Sequence, residues 1–157
     1  MYKAANNCDT AHRKLLVIIS FLLMTACSKP APDYQTLNNG NGDWAELKGN
    51  WVLINYWAEW CKPCLKEIPE FNKLAENKEA LVFAYNFDGL QDSALQKAVS
   101  KFNISYPSLL AEPSADFGLE LPKALPSTIV IRPNGEVKTV LLGEQSLGDL
   151  KAAIAEQ

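Results

Sequence analysis

Apolar positions follow two spacings along this chain. Trp51 to Trp57 is near-continuously apolar, broken only by Asn55, as expected for a central strand covered on both faces. From about Lys62 to Asn77 the period changes. Leu65, Ile68, Phe71, Leu74 and Ala75 recur at helical spacing, with Pro69 as an internal kink. Leu81 to Asn86 predicts a second core strand. Ser93 to Phe102 predicts a helix with Leu95, Ala98, Val99 and Phe102 inward, and Ile104 to Leu110 a short strand. Leu125 to Ile131 reads as a third strong strand. Arg132-Pro133-Asn134-Gly135 turns the chain, and Val137 to Leu142 completes a hairpin. Ser146 caps a last helix that carries Leu147, Leu150, Ala153 and Ile154 on one face. Upstream, Gln35 to Leu37 predicts a short strand before the Asn38–Gly42 turn, and Asp43 caps a helical turn through Leu47 that Gly49 ends. Strand–helix–strand–helix followed by a hairpin and a helix makes a mixed-sheet α/β domain.

The first residues follow another logic. Arg13 and Lys14 precede the apolar stretch Leu15 to Met24, which is well short of the roughly 20 residues that span a bilayer. Thr25-Ala26-Cys27 follows, so residues 1–26 read as a secretory signal. Met24-Thr25-Ala26-Cys27 resembles a bacterial lipobox, in which the cysteine is lipidated and becomes the first residue; Met24 stands where Leu is usual. Residues 27–32 then form the lipidated cysteine and a polar, Pro-rich tether, and residues 33–157 one domain. This arrangement places the domain on the periplasmic side of the cell envelope, held to a membrane through lipid on Cys27.

Removing the signal changes the inventory. Lys3, Arg13, Lys14 and Asp9 leave with it, so the 15 basic and 18 acidic residues become 12 and 17, a net charge of −5. That balance argues against nucleic acid as a partner. His12, both methionines and Cys8 are lost as well, which leaves Cys27 and the pair Cys61/Cys64 as the cysteines.

The pair sits in Trp60-Cys61-Lys62-Pro63-Cys64, directly between the strand and the helix. That junction puts Cys61 at the exposed helix N-terminus, where unpaired N–H groups and the helix dipole favour a thiolate. Pro63 fits the first turn, where its missing N–H costs nothing. A closed zinc site needs four ligands, and one Cys-x-x-Cys without histidine does not supply them, so no metal and no other cofactor is expected. A structural disulfide is the bland alternative, yet so small a loop gives little entropic stabilisation.

Val52 to Cys64 resembles the active-site segment of the thioredoxin superfamily, Leu125-Pro126-Ser127-Thr128 its cis-proline loop, and Asn134-Gly135-Glu136 its hairpin turn. Cys64-Leu65-Lys66-Glu67-Ile68-Pro69, the Asp43–Gly49 lead-in and the 65 residues from Cys61 to Pro126 are similar to the TlpA/ResA-like, membrane-anchored branch. The resemblance implies a thioredoxin-like fold, a mixed β-sheet flanked by helices, with an extra helix–strand insertion before the cis-proline. It implies a thiol–disulfide oxidoreductase that reduces protein disulfides and is recharged by a membrane thiol transporter. Cys61 would attack and Cys64 resolve. Glu67 would handle the proton, since the thioredoxin aspartate position is Asn55, which cannot titrate. Pro126 would carry the cis bond, with Pro122 as a rival; Trp60, Lys62, Pro63 and Leu125 would meet substrate. Lys62 also favours the thiolate. Glu59 reads as a solvated neighbour, and Trp44, Trp51 and Trp57 as packing. The alternative of another class is a redox-silent thioredoxin-like binding module or thiol chaperone, against which the intact Cys61 and Cys64 argue. A peroxidase is disfavoured, because no peroxidatic cysteine with its Pro and Thr context is present.

Overall fold

Strand β3 (Val52–Trp57) is buried along its whole length and organises the domain. In the computed structural model, which describes residues 31–38 and 40–155, a five-stranded sheet is built around it in the order β5-β4-β3-β6-β7. Strand β4 (Leu81–Asn86) lies parallel to β3, and β6 (Ser127–Ile131) antiparallel on its other side. Strand β5 (Ser108–Leu109) extends the parallel edge, and β7 (Val137–Leu142) closes the hairpin with β6. Gly135 makes that hairpin turn possible at φ 91°, a conformation side-chain-bearing residues rarely adopt. A two-residue pair, β1 (Tyr34–Gln35) with β2 (Asn41–Gly42), stands apart.

Helices α1 (Lys62–Glu76), α2 (Asp92–Lys101) and α3 (Leu147–Ile154) all pack on one face of the sheet. Ile68, Phe71 and Leu74 of α1, Leu95 and Ala98 of α2, and Leu150 of α3 share a cluster with Leu53, Trp57, Val82, Ala84 and Val130 from the strands. Each buried Val, Leu, Ile or Phe among these contributes roughly 1.5–3 kcal/mol against conformational entropy. Ser146 caps α3 through a full capping box with Asp149.

Among the described residues, the other face is closed without an α-helix. Val52, Ile54, Tyr56, Phe83, Ile129 and Ile131 meet Tyr34, Trp44, Leu47 and Phe117, which come from the N-terminal segment and a 3-10 turn at Ser114–Phe117. Trp44 stacks near Tyr34, Phe83 and Phe117, with centroids 4.4–5.7 Å away, and its Nε1 donates to Asp116 at 2.9 Å. The expected packing role of Trp44 is therefore met.

Several expectations are corrected in detail. The turn after Asp43 is a 3-10 helix, Trp44–Leu47, and the Asp43 side chain does not cap it. Instead Asp43 Oδ1 accepts from the backbone N–H of Asp33 at 3.3 Å. The short strand expected within Ile104 to Leu110 is Ser108–Leu109, and Pro107 and the Asn103 turn precede it. The first strand is Tyr34–Gln35, with only Thr36 of the remainder bridging to Leu109. The secretory signal and Cys27 lie outside the described residues. No helix among the described residues is long and apolar enough to cross a membrane.

Candidate active site

The dithiol occupies the junction where β3 runs into α1. Cys61 is the N-cap of α1 and Cys64 lies in its first turn; the two are joined by a disulfide with Cα atoms 5.3 Å apart. Cys61 Sγ accepts the backbone N–H of Cys64 at 3.3 Å, so the helix terminus already directs a donor at the first sulfur. Pro63 is within the first turn, where no N–H is missed. The expected exposure of Cys61 is corrected. Only 4% of it is accessible, because it packs with Ala58, Trp57 and Cys64 in the helical-face core. Lys62 is exposed beside it and Pro63 half-buried.

Trp60 is 63% exposed, and its Nε1 donates to the Asp88 carboxylate at 3.0 and 3.1 Å. Asp88 is held in turn by its N–H, which donates to Asn86 Oδ1 at 3.2 Å. Glu59 is exposed and ion-paired with Lys101 at 2.8 Å. The Leu125–Pro126 peptide bond is cis. Pro126 is buried and Leu125 half-buried; the Pro126 carbonyl accepts from Gly143 N at 2.9 Å. No cis bond is found at Pro122.

Glu67, one turn inside the helix from Cys64, is 1% exposed. Its Oε1 accepts from Asn55 Nδ2 at 2.8 Å and its Oε2 from the backbone N–H of Gln145 at 2.9 Å. The Tyr106 hydroxyl donates to Asn55 Oδ1 at 3.2 Å, which fixes the amide so that its NH2 faces the carboxylate. Burial pushes Glu67 up to about 7 from the ordinary 4.5; the two donors pull the other way and Glu144 adds repulsion. Tyr106 is fully buried and raised well above 10 by desolvation and by Glu67.

Tyr106, Gln145 and Asp88 escaped the sequence reading. Asn55 did carry a signal, a lone amide in an apolar strand at the parity of Leu53 and Trp57, whose side chains face the helices. Thr128, directly opposite Asn55 in the β3–β6 register, is 1% exposed, and its hydroxyl has no hydrogen-bond partner within the protein. Among the described residues no group of three or more His, Cys, Asp and Glu could hold a metal ion. A cleft of about 190 Å³ lies at the other end of β3, lined by Trp44, Leu47, Val52, Ile131 and Arg132, and it is separate from the dithiol, Glu67 and the cis-proline.

With this geometry, the profile of the AhpC/TSA family matches residues 27–140. The chain belongs to the AhpC/TSA family. Within it, the chain is 27% identical over 131 residues to the thiol-disulfide oxidoreductase ResA of Geobacillus kaustophilus, covering 80% of this chain and 75% of that one. It is 30% identical over 109 residues to ResA of Bacillus thuringiensis strain Al Hakam, covering 68% of this chain and 62% of the relative. The chain thus spans less than two thirds of that second relative's length. Among solved structures, MTB dsbF in its mixed oxidized and reduced forms superposes with a TM-score of 0.61 at 25% identity, over 76% of this chain and 90% of that one. The expected thioredoxin-like fold and thiol–disulfide oxidoreductase class are both borne out.

Proposed function

We propose that this AhpC/TSA member reduces protein disulfides in the cell envelope by cycling Cys61 and Cys64. The observation that carries the reading is a disulfide at the N-terminus of α1 with a buried carboxylate, Glu67, one turn behind it. In the reduced protein the Cys61 thiolate attacks one sulfur of a substrate disulfide and displaces the other as thiolate. Cys64 then gives up its proton and attacks Cys61 Sγ. The second substrate sulfur leaves, and the substrate ends as a dithiol and the protein as a disulfide. Two electrons have passed to the substrate, and a membrane dithiol transporter would restore them. Glu67 is the acceptor for the Cys64 proton, since a carboxyl that titrates near neutrality can both take and return it. Leu125, which packs against the cluster that holds Cys61 and Cys64, and the exposed Trp60, next to Cys61 in the chain, would receive the substrate chain, as the half-buried Leu125 and the indole offer apolar surface. Lys62 and Pro63 border the same edge.

Lipidation of Cys27, with anchoring to a membrane on the periplasmic side, rests on the Arg13-to-Cys27 pattern and belongs to the same reading. The direction of transfer is tested by the reduction potential of the Cys61/Cys64 pair against glutathione. A value near that of thioredoxin, about −270 mV, is expected; one near about −120 mV would make the protein an oxidant instead.

A further inference from the structure

Glu67 receives two hydrogen bonds and has no bond to give. Asn55 Nδ2 and Gln145 N are both donors, one on each carboxylate oxygen. This cradle suits the ionised acid. A neutral carboxyl carries an O–H that is costly to leave unpaired in a buried site. A carboxyl that cycles between the two states therefore needs an acceptor close by.

The sheet supplies one. Thr128 stands directly opposite Asn55 in the antiparallel β3–β6 register, so both side chains rise from the same face, about 4.5–5.5 Å apart at Cβ. That face is the one α1 covers and the one from which Asn55 reaches Glu67. Thr128 is 1% exposed and its Oγ1 is unpartnered. A buried orphan hydroxyl costs stability, and valine would fill the same space without it. The Tyr106 hydroxyl is already committed as a donor to Asn55 Oδ1.

We propose that Thr128 is a positioning residue whose hydroxyl accepts the proton of neutral Glu67, so that the acid has a hydrogen-bonded partner in each charge state. The inference rests on the reading of Glu67 as the proton carrier. Other titratable or charged groups surround that carboxyl. Tyr106 approaches from the segment before β5, and Glu144, paired with Lys66 at 3.8 Å, from the loop after β7. The cysteine pair lies one turn before it on α1, and on α3 Asp149 is turned to Ser146 and Lys151 to Glu79. None of these is hydrogen-bonded to Thr128.

The test follows the carboxyl 13C shift of Glu67 against pH in the oxidised full chain, where the cysteines do not titrate. Thr128→Val should lower the midpoint by about one pH unit, because the neutral acid alone loses a partner. Thr128→Ser should keep the wild-type midpoint. Thr128→Ala also lacks the hydroxyl and should show the same lowered midpoint, which keeps the test open if the valine packs badly. A midpoint unmoved in both hydroxyl-free variants overturns the role of Thr128. A wild-type Glu67 that already titrates as an ordinary carboxyl overturns the reading of Glu67 and this inference with it. Trapping of mixed disulfides by Cys64→Ser does not involve Thr128 and reports separately on the oxidoreductase reading.

Discussion

Replacing Glu67 by Gln keeps the shape of the side chain and removes its charge from the core; the introduced amide oxygen can still accept from Gln145 N. The magnitude follows from burial. Glu67 holds its proton up to about pH 7, against 4.5 in the unfolded chain. Between those values the native state binds more protons than the unfolded state, so stability falls as pH rises and levels off above pH 7. The stabilisation is fully present below pH 4.5, and the loss through the window amounts to about 3 kcal/mol, at 1.36 kcal/mol per pKa unit. The assay is urea unfolding of the oxidised protein between pH 4 and pH 8, with and without Glu67→Gln. The variant should lack this decline, and its stability relative to wild type should grow by about 3 kcal/mol across the range. Parallel curves would refute the reasoning, because they would mean that Glu67 titrates alike in both states.

Cys61→Ser should abolish reduction of a protein disulfide, whereas Cys64→Ser should accumulate mixed disulfides visible on non-reducing gels; absence of these would reverse the order of attack. Asn55→Asp sets a second carboxylate where an amide now donates to Glu67 at 2.8 Å. The pair should share one proton well above pH 7, while Glu67→Gln in the same chain should restore a single ordinary step, both readable from the carboxyl shifts. Asp88→Ala should free the Trp60 indole and raise KM for a protein disulfide more than it lowers kcat; an unchanged KM would exclude Trp60 from substrate contact. Labelled fatty acid should enter the wild-type chain and not Cys27→Ala, and equal labelling would remove the lipidation reading.

The redox pair, the central strand, the three helices and the hairpin are legible because each is written locally. Periodicity marks the elements, and the spacing of Cys61 and Cys64 marks the chemistry. What escaped depends on residues far apart in sequence. Asn55 reads as a residue that cannot titrate, and its actual task, donating to Glu67, depends on which strand face α1 covers. Tyr106 and Gln145 reach the same carboxyl from loops with no periodicity of their own. The burial of Cys61 follows from Trp57 and Ala58 folding beneath it, which a helix-terminus argument does not contain. Thr128 looked like one more residue after the cis-proline until the register set it opposite Asn55.

The covering of the second sheet face sets an order of assembly. Residues 33–47 leave the ribosome before the rest of the domain. Yet Tyr34 and Trp44 rest on Phe83 and Phe117, and Leu37 and Gln35 bond to Ser108 and Leu110. The first stretch of the domain to emerge therefore has no surface to settle on until some 70 further residues have followed, about the separation of Trp44 from Asp116. During that interval two large aromatics of the domain's first segment stay uncovered, and a chaperone that holds exposed apolar surface would find them there first.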